Sequence, residues 1–302
     1  KHANGSRINS FSQGSAYWAG PELDKGNMAV QWDSPVDANG VKIPTELRSY
    51  KDNMKNFLQT GITTSNNIAV SGSNYKGNFR VSYDQMKNQG LIPNSDLKRN
   101  SISTSAGYKL NEKLTLSTNL TFVNSAADNR PSTGNRGTNP LEAAYTWSNV
   151  DIRSLKNYWA SGAENIKQLS PTDSQDNPYF LAYGVNNSYS RNHAYGNVKI
   201  DWTILPTLSA YVRATHDIAQ QIQETKIPWS YTRAKQGAYH FDEFGNGETN
   251  LEAMVTFRKK IKDFDVVVNG GANSMKRTAQ SLYVGGTPLT IPGLYRITNV
   301  PT

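Results

Sequence analysis

Residues 66–123 read NNIAVSGSNYKGNFRVSYDQMKNQGLIPNSDLKRNSISTSAGYKLNEKLTLSTNLTFV. This stretch decides the fold, because it parses into four β-strands with their turns attached. In the last of them Leu114, Leu116, Thr118, Leu120 and Phe122 fall on one face and Thr115, Ser117, Asn119 and Thr121 on the other. That is the two-residue period of a pleated strand with one apolar side. Phe79, Val81 and Tyr83 alternate in the same way with Asn78, Arg80, Ser82 and Asp84. The other two strands cover 66–73, with Ile68 and Val70 apolar, and 100–109, with Ile102, Ala106 and Tyr108 on one face. Two solvents satisfy this pattern. A water-soluble sandwich turns the apolar rows inward, whereas a membrane barrel turns them outward to lipid.

Outside this stretch, residues 1–65 are irregular, with Pro21, Pro35, Pro44 and the Asn39-Gly40 pair breaking any long element. Residues 124–190 lack a strand pattern and hold Pro131, Pro140, Pro171 and Pro178, with one or two helical turns expected from Pro140 to Trp147. Two strands resume over 191–217, where Ala194, Gly196, Val198, Ile200 and Trp202 share a face and Pro206 fits the turn. Residues 218–249 read as a second long loop. Two more strands fill 250–274, carrying Leu251, Ala253, Val255 and Phe257, then Phe264, Val266, Val268, Gly270 and Ala272. Residues 275–302 read as loop.

The connections alternate strictly between short and long, which separates the two solvents. An outer-membrane barrel has short turns on the periplasmic side and long loops outside. A soluble sandwich has no reason to sort loops by parity, and loops above ~15 residues are uncommon in compact domains. Tyr83, Tyr108, Phe122, Trp202, Phe257 and Phe264 near strand ends suit interfacial girdles, although aromatic residues favour strands in any setting.

Composition agrees. Of 302 residues only 36% are hydrophobic, and mean hydropathy is -0.63, yet 10% are aromatic and the strands are well patterned, so disorder fits poorly. No apolar run approaches the ~20 residues of a membrane-spanning helix, so any crossing must be by strands. There are no cysteines. The opening residues carry no basic-then-apolar leader, which suggests a processed product or a fragment. The net charge of +8 is spread through turns, with Arg258, Lys259, Lys260 and Lys262 the dense cluster, and no aromatic-basic interleaving points to nucleic acid.

Chemistry-bearing constellations are thin. His2, His193, His216 and His240 show no metal spacing, and His216-Asp217 reads as a polar rim in preference to a dyad. Gly-Asn-Gly at 245–247 and Gly285-Gly286 lack the setting of a phosphate loop and read as turns. Asp242, Glu243 and Glu248 miss the alternating ligand pattern of a calcium loop. No catalytic residue, cofactor or metal is expected. Trp147, Tyr158, Trp159, Trp229 and Tyr231 in the two longest loops are the candidate substrate-binding residues, since flat rings with polar handles stack on sugars or grip peptide side chains. The competing reading is that they pack the loops together. Arg80, Asp84, Tyr211 and Arg213 on the polar face could line a substrate path or form structural ion pairs.

The runs NMKNFLQT at 53–60, NIAVSG at 67–72, GNFRVSY at 77–83, GLIPNSD at 90–96 and Lys98-Arg99-Asn100 resemble, in order and spacing, the SusC/RagA-like TonB-dependent outer-membrane importers. So do Val30–Pro35, Asn139-Pro140-Leu141, Asn177-Pro178-Tyr179, Gly196-Asn197-Val198 and Ile291–Tyr295, so that the resemblance covers nearly the whole chain. It implies an all-β, antiparallel transmembrane barrel segment, about eight strands of a 22-stranded barrel, with short periplasmic turns and long extracellular loops. No segment matches the family's plug domain or its TonB contact. The implied function is import of an oligomeric nutrient, glycan or peptide, across the outer membrane without covalent chemistry. The implied partners are a SusD-like surface lipoprotein, TonB acting through the absent plug, and outer-membrane lipid. A surface β-sandwich that binds carbohydrate is the alternative.

Overall fold

A computed structural model describes residues 21–134 and 137–301; the first part of the expected lead-in, 1–20, lies outside the described residues. A two-residue ribbon, β1 (Met28–Ala29) with β2 (Thr45–Glu46), precedes a short helix α1 (Asn53–Phe57). The main body is one antiparallel sheet of eight strands laid down in chain order: β3 (Ile62–Ser73), β4 (Gly77–Gln89), β5 (Asp96–Lys109), β6 (Leu114–Ala127), β7 (Asn186–Leu205), β8 (Leu208–Ile227), β9 (Ala238–Ile261) and β10 (Phe264–Gly286). Each strand pairs with its sequence neighbour, and β3 and β10 form the two outer edges. The sheet is not closed. This is the architecture of a β-barrel segment.

The tight turns follow from asparagine chemistry. Asn74 Oδ1 accepts from the N–H of Lys76 (2.8 Å) and Gly77 (2.9 Å), and Asn111 Oδ1 accepts from Lys113 (2.8 Å) and Leu114 (2.9 Å), so one side chain closes each turn. At one end the connections are 74–76, 110–113, 206–207 and 262–263; at the other they are 90–95, 128–185 and 228–237. The alternation by parity expected from sequence holds, although 90–95 and 228–237 are shorter than the sequence pattern indicates.

All eight expected strands exist, and most are longer than the pattern indicates. Residues 218–227 continue β8, 238–249 begin β9, and 275–286 complete β10, so the expected loops 218–249 and 275–302 are partly sheet. The Gly-Asn-Gly at 245–247 lies inside β9, not in a turn. These added lengths are polar on both faces, for example Gln220, Gln221, Gln223 and Glu224, and therefore lack the alternation that betrays a half-apolar strand.

The apolar face of the sheet is open. Ile68 is 67% exposed, Val70 62%, Val212 58% and Leu251 53%, and among the described residues no second sheet covers them as a sandwich requires. Tyr108, Trp202, Phe257 and Phe264 ring this face at the short-turn end, while Tyr83 and Phe122 sit further along their strands. The buried core lies instead at the long-connection end. Phe57, Ala144, Trp147, Val150, Ile152, Leu155, Tyr179 and Ala182 form one cluster there, and Ala143, Phe180, Leu181, Val185 and Tyr231 a second. Residues 21–60 read from sequence as loop outside any core, yet Ala29, Leu47 and Phe57 are buried at 3%, 1% and 1%, and Phe57 belongs to the first cluster.

Candidate functional site

The long connection 128–185 folds into a cap, and buried asparagines hold it. Asn53, at the start of α1, donates from Nδ2 to the carbonyls of Trp147 (2.6 Å) and Val150 (2.8 Å) and accepts at Oδ1 from Ile152 N–H (3.1 Å). Asn177 donates to the carbonyls of Leu155 (2.8 Å) and Leu169 (2.7 Å) and accepts from Tyr179 N–H (2.8 Å). Asn129 donates to Asn94 (3.0 Å) and Ala182 (3.2 Å) carbonyls and accepts from Asn187 N–H (2.9 Å). A carboxamide offers two donors and an acceptor in one plane, which lets one side chain satisfy backbone groups of irregular segments that no helix or ladder serves. Asn139 and Asn177 both precede proline, and Asn139 caps helix α2 (Pro140–Thr146) by accepting from Leu141 N–H at 3.0 Å.

The aromatic candidates divide by burial. Trp147 is 2% exposed inside the first cluster, and its indole N–H is buried with no hydrogen-bond partner among the described residues. Tyr231 is 5% exposed inside the second. Both rings are packed inside the cores of the cap. Trp229 and Tyr231 occupy the connection 228–237 at the long-connection end, where Trp229 Nε1 donates to the Leu289 carbonyl at 3.2 Å. Tyr158 and Trp159 are half-buried neighbours with ring centroids 5.4 Å apart. Tyr158 also stacks on Tyr183 at 6.3 Å, and Tyr183, 44% exposed, stacks in turn on Tyr179 at 6.5 Å. These three tyrosines form a ladder that runs from buried Tyr179 through exposed Tyr183 to Tyr158, and Tyr183 has no local sequence pattern that marks it.

Burial sets the electrostatics of the cap. Burial pushes the Tyr179 and Tyr231 hydroxyls up from their ordinary range, with the nearby Tyr183 and Asp176 respectively adding to the effect. Tyr295, packed close to Tyr158, is pushed up to about 12 by burial. Asp151 is held low because Arg153 binds its carboxylate at 2.7 Å, although burial opposes this. Asp176 ties the cap to the neighbouring loop, accepting from Gln168 Nε2 (2.6 Å) and from Thr232 N–H (2.9 Å).

The polar face of the sheet carries a separate system. Arg213 meets Glu252 at 2.6 Å and Tyr211 donates to the same carboxylate. Lys199 pairs with Asp201 at 2.6 Å and lies 4.5 Å over the Tyr211 ring. Arg213 and Tyr211 are thus structural partners here. Asp84 accepts from Asn67 at 2.5 Å, and Arg80 lies exposed on the same face. His193 meets Asp217 at 3.0 Å, whereas His216 points to the opposite face and contacts Thr249 at 2.9 Å, so His216 and Asp217 form no dyad. Asp242 and Glu248 alternate to the face opposite Glu243, and the three do not gather. Opposite the polar face, Gly245 and Gly247 open a depression of about 670 Å³ edged by Ile218, Gln220 and Thr278.

No protein-family model matches the chain, and no curated protein matches it. Among solved structures it is similar to a chain of the RagAB peptide importer in the closed-closed state, with a TM-score of 0.64 and 16% identity over 83% of this chain and 28% of that one. It is also similar to a chain of the RagAB peptide transporter, with a TM-score of 0.65 and 16% identity over 84% and 28%. The chain shares their fold. It spans about 28% of the length of those chains, and at this identity the likeness is one of architecture.

Proposed function

We propose that this chain is an early part of the barrel wall of an outer-membrane importer of oligomeric nutrients. The observation that carries the reading is the open apolar face on a sheet whose connections alternate between short and long. Fully burying a large apolar side chain is worth about 1.5–3 kcal/mol, so leaving on the order of ten of them in water would forfeit tens of kcal/mol. Whole domains are stable by only about 5–15 kcal/mol. Lipid covering that face removes the conflict, and the polar face then lines a wet lumen.

In this reading the short turns face the periplasm and the cap of 128–185 lies outside. A SusD-like surface lipoprotein would sit over the cap, and TonB would act through a plug outside this chain. No group in the chain is assigned covalent chemistry. A peptide is favoured as cargo over a glycan because the structures of like fold are of a peptide importer. The test is the source polypeptide itself, extracted in detergent from outer membranes. Scaling this wall to about 22 strands predicts a mass several-fold above 33.4 kDa in the membrane fraction. A soluble species near 33.4 kDa would sink the proposal.

A further inference from the structure

Three successive rows on the polar face, toward the long-connection end of β7–β10, have a composition the ion pairs below them lack. The ladder sets Arg191 across from Gln221, Gln221 across from Phe244, and Phe244 across from Ser281. The next row toward the short turns is His193, Ala219, Asn246 and Ala279, and the one after it is Tyr195, Asp217, Glu248 and Arg277. The two alanines of the middle row leave a low floor. A depression of about 470 Å³ lies over it, with Arg191, Gln221 and Phe244 on one side and Arg277 on the other.

The groups beside it are spoken for: Arg213 pairs with Glu252, Lys199 pairs with Asp201, and His193 meets Asp217. Arg191 and Arg277 make no ion pair or side-chain hydrogen bond with any described residue, and Glu248, though across the ladder from Arg277, does not reach it. Two guanidinium groups thus border one cavity with their planar forks unfilled. Such a fork matches a carboxylate in a bidentate geometry. The Gln221 amide adds a donor, and the Phe244 ring, 44% exposed, adds an apolar contact next to the charge. Glu248 at the edge tempers the positive field, which favours a single carboxylate over a polyanion.

Position supports a ligand that arrives from outside. Arg191 and Arg277 lie well beyond the roughly 9–11 residues a tilted strand uses to cross the hydrocarbon, counted from the short turns. They are on the part of the wall that projects past it. Resting on the importer reading, we infer that this depression is a subsite for a carboxylate of the imported oligomer, with an apolar group of that oligomer against Phe244.

The test is uptake by cells carrying the full-length importer. The probes are peptides with free C-termini beside the same peptides amidated, and oligogalacturonate beside its methyl ester. Cells lacking the importer set the background. In the class that is imported, the carboxylate member should enter at least tenfold in preference to its blocked counterpart. The double variant Arg191→Gln, Arg277→Gln, matched for surface level, should cut that preference below twofold while uptake of the blocked member stays within twofold. Arg191→Lys with Arg277→Lys should restore part of it. Equal uptake of free and blocked probes would overturn the inference. So would a double variant that lowers both alike, which would mean that the arginines pair with an acidic segment of the importer itself. If deleting the importer changes the uptake of no probe, the failure lies with the importer reading, independent of the arginines.

Discussion

Asn53→Ala is the most informative single change for the cap. Asn53 is 5% exposed, and its carboxamide satisfies two carbonyls, of Trp147 and Val150, and the amide of Ile152, nearly a hundred residues further along the chain. Alanine leaves all three buried groups without partners. At about 1–3 kcal/mol for each, and with water relieving part of the loss, the local cost comes to roughly 3 kcal/mol. Every 1.4 kcal/mol is tenfold in an equilibrium, so opening of the cap should rise about a hundredfold. The assay is hydrogen exchange with mass spectrometry on the full-length protein in detergent, following peptides over 50–58 and 145–155 against peptides from β8 and β9. The cap peptides should lose about a hundredfold of protection while the wall peptides hold, since ladder hydrogen bonds do not depend on the cap. Cap protection within threefold of the parent would refute the idea that Asn53 joins these segments. Loss of protection in cap and wall together would refute their independence.

Val212→Arg, on the apolar face, should cost about 2–4 kcal/mol in a urea titration of folding into bilayers, whereas Asn197→Arg on the polar face should change the midpoint little; equal effects would mean the face is not against lipid. Gly196→Val would drive a Cβ into the Asn119 carbonyl and to within 2.8 Å of Leu120 Cδ2, and should destabilise the pairing of β6 with β7 by about 1–3 kcal/mol; an unchanged urea midpoint would rule out the close approach. Tyr295 keeps its proton in the folded state up to about 12, above its ordinary value of 10.0, so its contribution to stability is complete below pH 10 and is lost as pH rises through 12. Tyrosinate absorbance in Tyr295→Phe against the parent should locate one late-titrating group, and identical titration curves would deny it.

What was legible in the sequence was the part of the wall with different solvents on its two faces. Leu114 to Phe122 and Val198 to Trp202 alternate because one row meets apolar surroundings and the other water. Gln220 to Lys226 and Asp242 to Asn250 are strand as well, but their polar residues fall on both faces, and a pattern that depends on contrast vanishes where the contrast does. The burial of two aromatic candidates, Trp147 and Tyr231, was illegible for another reason. Composition places Trp147 and Tyr231 in loops, yet only tertiary contacts decide whether a loop ring faces solvent or fills a core. The buried asparagines had a readable trace, since Asn139-Pro140 and Asn177-Pro178 repeat one capping device. Asn53 had none, because its three partners lie too far along the chain for any local pattern to show.

The longest connection falls where the strands lengthen. Strands β3–β6 have 12, 13, 14 and 14 residues, and β7–β10 have 20, 20, 24 and 23. By register Leu114 pairs with Trp202 and Ala127 with Tyr189, so β7 outruns β6 by only residues 186–188 at the rim, about 10 Å of strand. The rim therefore steps up between β6 and β7, and the connection across that step is 128–185. Its contacts brace it against the taller side: Arg130 lies 4.5 Å over the Tyr189 ring, Arg130 N–H donates to the Asn187 carbonyl at 2.8 Å, and Gln168 donates to the Ser230 carbonyl at 2.7 Å. The core of the cap packs on itself and on 21–60, not on the sheet's apolar face. The wall thus carries its unpaired arginines on the longer strands β7–β10 and, over the connection 128–185, a cap stabilised by its own core. Opening of the cap would break its own buried hydrogen bonds, such as those of Asn53, and leave the ladder hydrogen bonds of the wall intact.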